Sequence, residues 1–103
     1  MSYNKPEGNL SMIKSFKHKT LARFFMENNR SGLSAQQCDR INRMLDYLDA
    51  AGVAEDMNLP GFGFHKLVGN KNDTWSIKVS GNWRLTFKFE KGDAYEVNLE
   101  DYH

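Results

Sequence analysis

The sequence predicts an α+β domain: two N-terminal helices packed on an antiparallel β-sheet. Up to Gly52 the apolar residues recur at the three- and four-residue spacing of helices; from Phe64 onward they alternate with polar ones, as in strands. The alternating half is also punctuated by Gly81-Asn82 and Lys91-Gly92-Asp93, at hairpin intervals. At 103 residues there is room for one core.

Residues 1–11 are polar, contain Pro6 and Gly8, and lack periodicity, so a flexible leader is expected there, with the domain running over residues 12–103. Met12 can serve as an internal start. Residues 12–16 read as a first short strand. Leu21, Phe24 and Phe25 form an i, i+3, i+4 stripe, predicting a helix over residues 17–29, broken by Ser31-Gly32. Ser34 with Gln37 is a capping-box pattern at the start of a second helix. Cys38, Ile41, Leu45 and Leu48 form its apolar stripe, and Gly52 is its expected C-cap. Cys38 therefore reads as a buried small hydrophobe rather than a nucleophile. A loop covers residues 53–63, and a strand is expected over residues 64–68. Trp75, Ile77 and Val79 alternate with Ser76, Lys78 and Ser80; Trp83, Leu85, Phe87 and Phe89 alternate with Arg84, Thr86, Lys88 and Glu90. Tyr95, Val97 and Leu99 complete the expected buried face.

Composition narrows the function. A single cysteine excludes an internal disulfide and multi-cysteine zinc sites. No apolar run reaches the roughly 18 residues of a membrane span, and the start lacks a signal-peptide core, so a cytoplasmic protein without membrane contact is expected. The formal net charge is +1, so only the placement of charges can point to a nucleic-acid partner. Lys78, Arg84 and Lys88 share the polar sheet face with Thr86; Arg84 and Lys88, four residues apart, lie about 13 Å from each other. Such a face suits a phosphate backbone, and it equally suits plain solvation. Of the three histidines, His18 reads as exposed, His65 opens the sheet and His103 is the last residue. Cleavage of RNA by its own 2′-hydroxyl needs a base, an acid and a cation, but no metal or other cofactor. His65, Arg84, Asp101, Tyr102 and His103 offer those residue types. No His/Asp/Glu cluster has metal-ligand spacing.

From Met12 to His103 the chain resembles the HigB family of toxins, within the RelE/ParE-like superfamily. The resemblance rests on Met12-Ile13-Lys14-Ser15-Phe16-Lys17-His18-Lys19, on Trp75-Ser76-Ile77 through Asn82-Trp83-Arg84, on Gly92-Asp93-Ala94-Tyr95 and on Asp101-Tyr102-His103. It implies a RelE-like fold and a toxin that cuts mRNA on the translating ribosome through 2′-hydroxyl attack. It also implies a HigA-type antitoxin as partner, with DNA engaged only through the complex of the two. His65 matches the family histidine, Asp101, Tyr102 and His103 the terminal trio, and Asn82 and Arg84 the hairpin residues. Where the family often has His-Pro-Leu-Lys-Gly, this chain reads His65-Lys66-Leu67-Val68-Gly69. Val68 thus replaces a lysine, and Lys66 or Lys71 is the available substitute.

The expected division of labour has Asp101 or His103 taking the 2′-hydroxyl proton and His65 helping to protonate the leaving oxygen. Arg84 stabilises the phosphate, and Tyr102 stacks on or hydrogen-bonds a base. Lys66, Lys78, Asn82 and Lys88 are the expected RNA contacts. Two rivals share the fold: a ParE-like gyrase inhibitor and a non-catalytic RNA-binding protein.

Overall fold

The computed structural model describes residues 3–4, 13–69 and 73–102. Met12, Lys71 and His103 lie outside them, as does most of the leader. Strands β1 (Tyr3–Asn4) and β2 (Ser15–Phe16) precede helices α1 (Lys19–Glu27) and α2 (Ala35–Ala50). A 3-10 turn (Ala54–Met57) leads to strands β3 (His65–Lys66), β4 (Thr74–Ser80), β5 (Trp83–Glu90) and β6 (Asp93–Asp101). The sheet order is β1-β2-β6-β5-β4-β3.

The sheet is mixed rather than antiparallel throughout. β3 to β6 form the expected antiparallel meander, but β2 pairs parallel with β6, through Phe16 and Val97. Ile13 extends that parallel pairing to Ala94. The chain leaves β2 into the helices and returns only at its end, so this pairing is non-local. Within the expected leader, Tyr3 and Asn4 pair antiparallel with Phe16 and Ser15.

One apolar layer joins helices and sheet. α2 buries Cys38, Ile41, Met44, Leu45 and Leu48 against Ile77, Leu85, Phe87 and Val97 of the sheet. α1 contributes Leu21, Ala22 and Phe24, and Phe25 packs on Phe16 with ring centroids 5.6 Å apart.

The ends of the helices differ from expectation. α1 is capped by His18, whose Nδ1 accepts a hydrogen bond from the Leu21 amide at 3.1 Å. It closes at Asn28, in the left-handed region at φ 55°, before Ser31-Gly32 is reached. Ser34 is the N-cap of α2, but its side chain makes no capping bond. Gln37 is drawn away instead, its Nε2 donating to Ser80 Oγ on the sheet at 3.0 Å. At the other end the cap is Ala51 in extended conformation, and the Gly52 and Val53 amides donate to Asp56 Oδ2. Gly52 is thus not the cap expected of it: the Ala51 amide closes α2 on Leu48 O, and the Asp56 carboxylate serves the start of the 3-10 turn that follows.

The last hairpin contains a β-bulge. Lys88 faces Tyr95, whereas Thr86 faces Asn98, so β6 carries one extra residue, and Glu96 sits there at φ 50°. The bulge exchanges faces midway. Ala94, Val97 and Leu99 point into the core, and Tyr95, expected among them, stands opposite Lys88. Without it Arg84 would face Leu99; with it Arg84 faces Glu100.

Candidate active site

The polar sheet face is organised in cross-strand rows. His65, Ser76, Thr86 and Asn98 are successive partners across β3, β4, β5 and β6. Lys78, Arg84 and Glu100 form the next row towards the β4–β5 hairpin, and Thr74, Lys88 and Tyr95 the row on the other side. Directly paired residues project to one side of a sheet. His65, Lys78 and Arg84 therefore share a face, with His65 and Arg84 about 12 Å apart, two strand spacings across and two residues along.

The loop before β3 is fixed from below. Arg40 donates to the Gly61 and Lys78 carbonyls at 2.8 and 2.9 Å, and the Lys78 amide donates to Phe62 O. Phe62 is buried beneath the Arg40 guanidinium and the edge of Tyr47. Gly63 then turns the chain at φ 57°, a backbone state that glycine adopts without strain. The Gly63 carbonyl lies 2.9 Å from His65 Nδ1, so Nδ1 carries the proton and Nε2 is left for chemistry.

Arg84 is fixed by the hairpin itself. Its Nη1 donates to Gly81 O at 2.7 Å and to Trp83 O at 3.1 Å. Trp83, on the face that the alternation marks for burial, is 37% exposed, so the carbonyls rather than its packing hold this position. Lys78 sits directly across from Arg84, and neither makes an ion pair within 4 Å among the described residues. Two cations facing each other repel until an anion lies between them.

Lys88 has a different environment. Glu96 binds its Nζ at 3.1 Å and Asp73 at 3.5 Å. The hydrogen bond to Glu96, then the charges of Glu96 and Asp73, raise the Lys88 ammonium above its ordinary value. This end of the face is a groove of ≈ 130 Å³, lined by Lys17, Thr86, Lys88, Glu96, Asn98 and Glu100 among others. Its carboxylates offset its cations.

The C-terminal residues split around the sheet. Asp101 pairs with Trp83, and strand alternation sets both on the helix-packed side, opposite to Arg84 and Glu100. The Tyr102 amide donates to Asn82 O at 2.8 Å, which brings Tyr102 to the hairpin turn beside Arg84. Lys66 pairs with Trp75 and holds its Nζ 5.4 Å from the indole centroid, so it lies on the face away from His65. Val68 is 88% exposed. Sequence periodicity did not single out Ser76 or Glu100. Ser76 is fully buried beside His65, and Glu100 accepts from the Thr86 hydroxyl at 2.7 Å. The bulge sets the Glu100 register, and no local signal in the sequence marks it.

A larger cavity, ≈ 470 Å³, opens on the helix side and is lined by His18, Arg40 and Trp83 among others. It does not adjoin His65. Among the described residues, no group of three His, Cys, Asp or Glu side chains could hold a metal ion.

Known proteins provide an independent line of evidence. Residues 14–103 match the family described as RelE-like toxin of type II toxin-antitoxin system HigB. The chain is 48% identical over 92 residues to Endoribonuclease HigB of Proteus vulgaris, covering 89% of this chain and 100% of that protein. It is 32% identical over 93 residues to Toxin HigB-1 of Vibrio cholerae, covering 88% of this chain and 98% of that one. No helix among the described residues is long and apolar enough to cross a membrane. The α+β fold and the end-to-end similarity agree, and the chain belongs to the HigB family of RelE-like toxins of type II toxin–antitoxin systems, whose members act opposite an antitoxin.

Proposed function

We propose that the chain is an endoribonuclease toxin that cleaves mRNA on the ribosome in the cytoplasm through attack of a 2′-hydroxyl on the adjacent phosphate. One observation carries this reading: Arg84, locked to the hairpin carbonyls, faces Lys78 on the same exposed sheet face as His65. The pair forms a preorganised seat for a phosphate that gains charge in the transition state. The name of the Proteus vulgaris relative, an endoribonuclease, supports the same chemistry.

His65 directs Nε2 to that seat and, with a proton on each ring nitrogen, gives the Nε2 proton to the leaving 5′-oxygen while Nδ1–H stays on its acceptor. The 2′-hydroxyl proton passes to His103 at the C-terminus, since strand alternation sets Asp101 on the other side of the sheet. Tyr102, tied to the turn at Asn82, stacks on or hydrogen-bonds the base. Lys78 and Asn82 contact the strand, and Lys88 and Lys66 lie outside this path because of their own partners. A site this open needs the ribosome to orient the message. The domain is taken to begin at Met12, and a HigA-type antitoxin is the partner, with DNA reached only through the complex.

The test is to map mRNA 5′ ends in a translating extract, with the full chain and with His65→Ala. New ends within translated codons, reduced at least roughly a hundredfold with His65→Ala, are expected. Growth arrest without new ends, persisting in His65→Ala, would turn the reading towards a gyrase inhibitor.

A further inference from the structure

Ser76 lies in the middle of the polar face and is completely buried, yet its Oγ has no hydrogen-bond partner among the described residues. A buried orphan hydroxyl is destabilising, and native structures keep few of them. Alanine would fill the same space without that cost. Unfavourable local features of this kind gather at functional sites.

Its surroundings narrow the role. One cross-strand partner of Ser76 is Thr86, whose hydroxyl is already committed to Glu100. The other is His65. Residues directly opposite on a ladder bring their Cβ atoms within about 5 Å. His65 is exposed, and among the described residues its ring makes one hydrogen bond, Nδ1 to the Gly63 carbonyl. The Nδ1 proton that makes this contact can be passed to another acceptor by rotation of the side chain alone.

We propose that Ser76 Oγ is that second acceptor. The ring leaves Gly63 O and settles its Nδ1–H on Ser76 when a phosphate occupies the seat formed by Lys78 and Arg84. In this pose the imidazole lies down over the sheet and Nε2 faces the leaving oxygen. Ser76 is a positioning residue: it acts through His65 and does not touch RNA. The inference rests on the endoribonuclease reading and deepens it.

The experiment compares four full-length chains in a translating extract: wild type, Ser76→Ala, His65→Ala and the double variant. Message cleavage is measured against toxin concentration, and each chain is melted. Ser76→Ala is expected to melt at or above the wild-type temperature, since an unpartnered hydroxyl is gone. Its saturating cleavage rate should fall roughly tenfold to a hundredfold, the scale of a misplaced catalytic group, with the half-saturating concentration unchanged. In the His65→Ala background, Ser76→Ala should add nothing. Wild-type cleavage by Ser76→Ala overturns the proposal. So does a loss that tracks a lowered melting temperature, or one that recurs in the His65→Ala background, because either is the mark of a structural residue. Failure of the wild-type chain to cleave would instead refute the endoribonuclease reading itself.

Discussion

Arg84 and Lys88 look alike in the sequence, two cations on one strand, and the structure separates them by their partners. Arg84 is held by carbonyls that position its fork without neutralising it. Lys88 is matched by Glu96 and Asp73. Arg84→Ala is therefore expected to slow cleavage by about 3 kcal/mol, the scale of one preorganised transition-state donor. Arg84→Lys should not restore the rate, because an ammonium cannot span the hairpin carbonyls and a phosphate together. Lys88→Ala should change the rate little in the same assay. His18 carries a second residue-scale prediction. Burial lowers its pKa from the ordinary value of 6.5, and its cap requires an unprotonated Nδ1. The folded chain therefore resists the proton that the unfolded chain accepts. The His18 contribution to stability is complete above pH 6.5 and is lost as the pH falls through that value towards the lowered one. Melting temperature followed from pH 8 to pH 5 should show this fall, and His18→Asn, which caps without titrating, should remove it.

Helices and strands were legible to different depths, and the reasons are physical. The stripe on α2 and the alternation through β4 and β5 report burial directly, so core residues such as Ile41, Leu48, Ile77 and Leu85 could be read from spacing alone. Caps report competition, which spacing does not contain. Ser34 and Gln37 have the right types for a capping box, but Ser80 from the sheet takes the glutamine. Ser34→Ala should accordingly cost less than about 0.5 kcal/mol, below the ~1 kcal/mol of a working cap, as measured by denaturant unfolding. The parallel pairing of β2 with β6 joins residues about eighty positions apart, beyond any local pattern. The bulge at Glu96 matters most for function, because it turns Leu99 inward and sets Glu100 opposite Arg84. His65 and Arg84 could be identified from residue type and family resemblance. Their common face became visible only with the register of four strands, and so did the placement of Asp101 on the other side.

At the scale of the molecule, the two ends of the chain differ in what they would take with them. The first end adds β1, a two-residue strand on the outer edge of β2. A chain starting at Met12 should therefore lose no more than about 1 kcal/mol in unfolding, the worth of a marginal edge contact, and should cleave normally. The last end is placed for chemistry. Beyond Glu100 the contacts among the described residues include the pairing of Asp101 with Trp83 and a backbone hydrogen bond from Tyr102 to the hairpin turn. Neither lies in the core, which β6 fills through Ala94, Val97 and Leu99. A chain ending at Glu100 should keep its fold at a cost of about 1 kcal/mol for each hydrogen bond lost, read by denaturant unfolding. It would also lose His103, the proposed acceptor of the 2′-hydroxyl proton, and the aromatic group at the turn. Removing a general acid–base partner typically costs roughly 10²- to 10⁴-fold, so its cleavage of translated mRNA should fall by at least the lower figure while it still binds antitoxin. The seat made by Lys78 and Arg84 and the anchored His65 would remain intact in that chain. A folded chain ending at Glu100 that cleaves at the full rate would therefore move the proton acceptor to the sheet face itself, where Glu100 is the carboxylate beside Arg84.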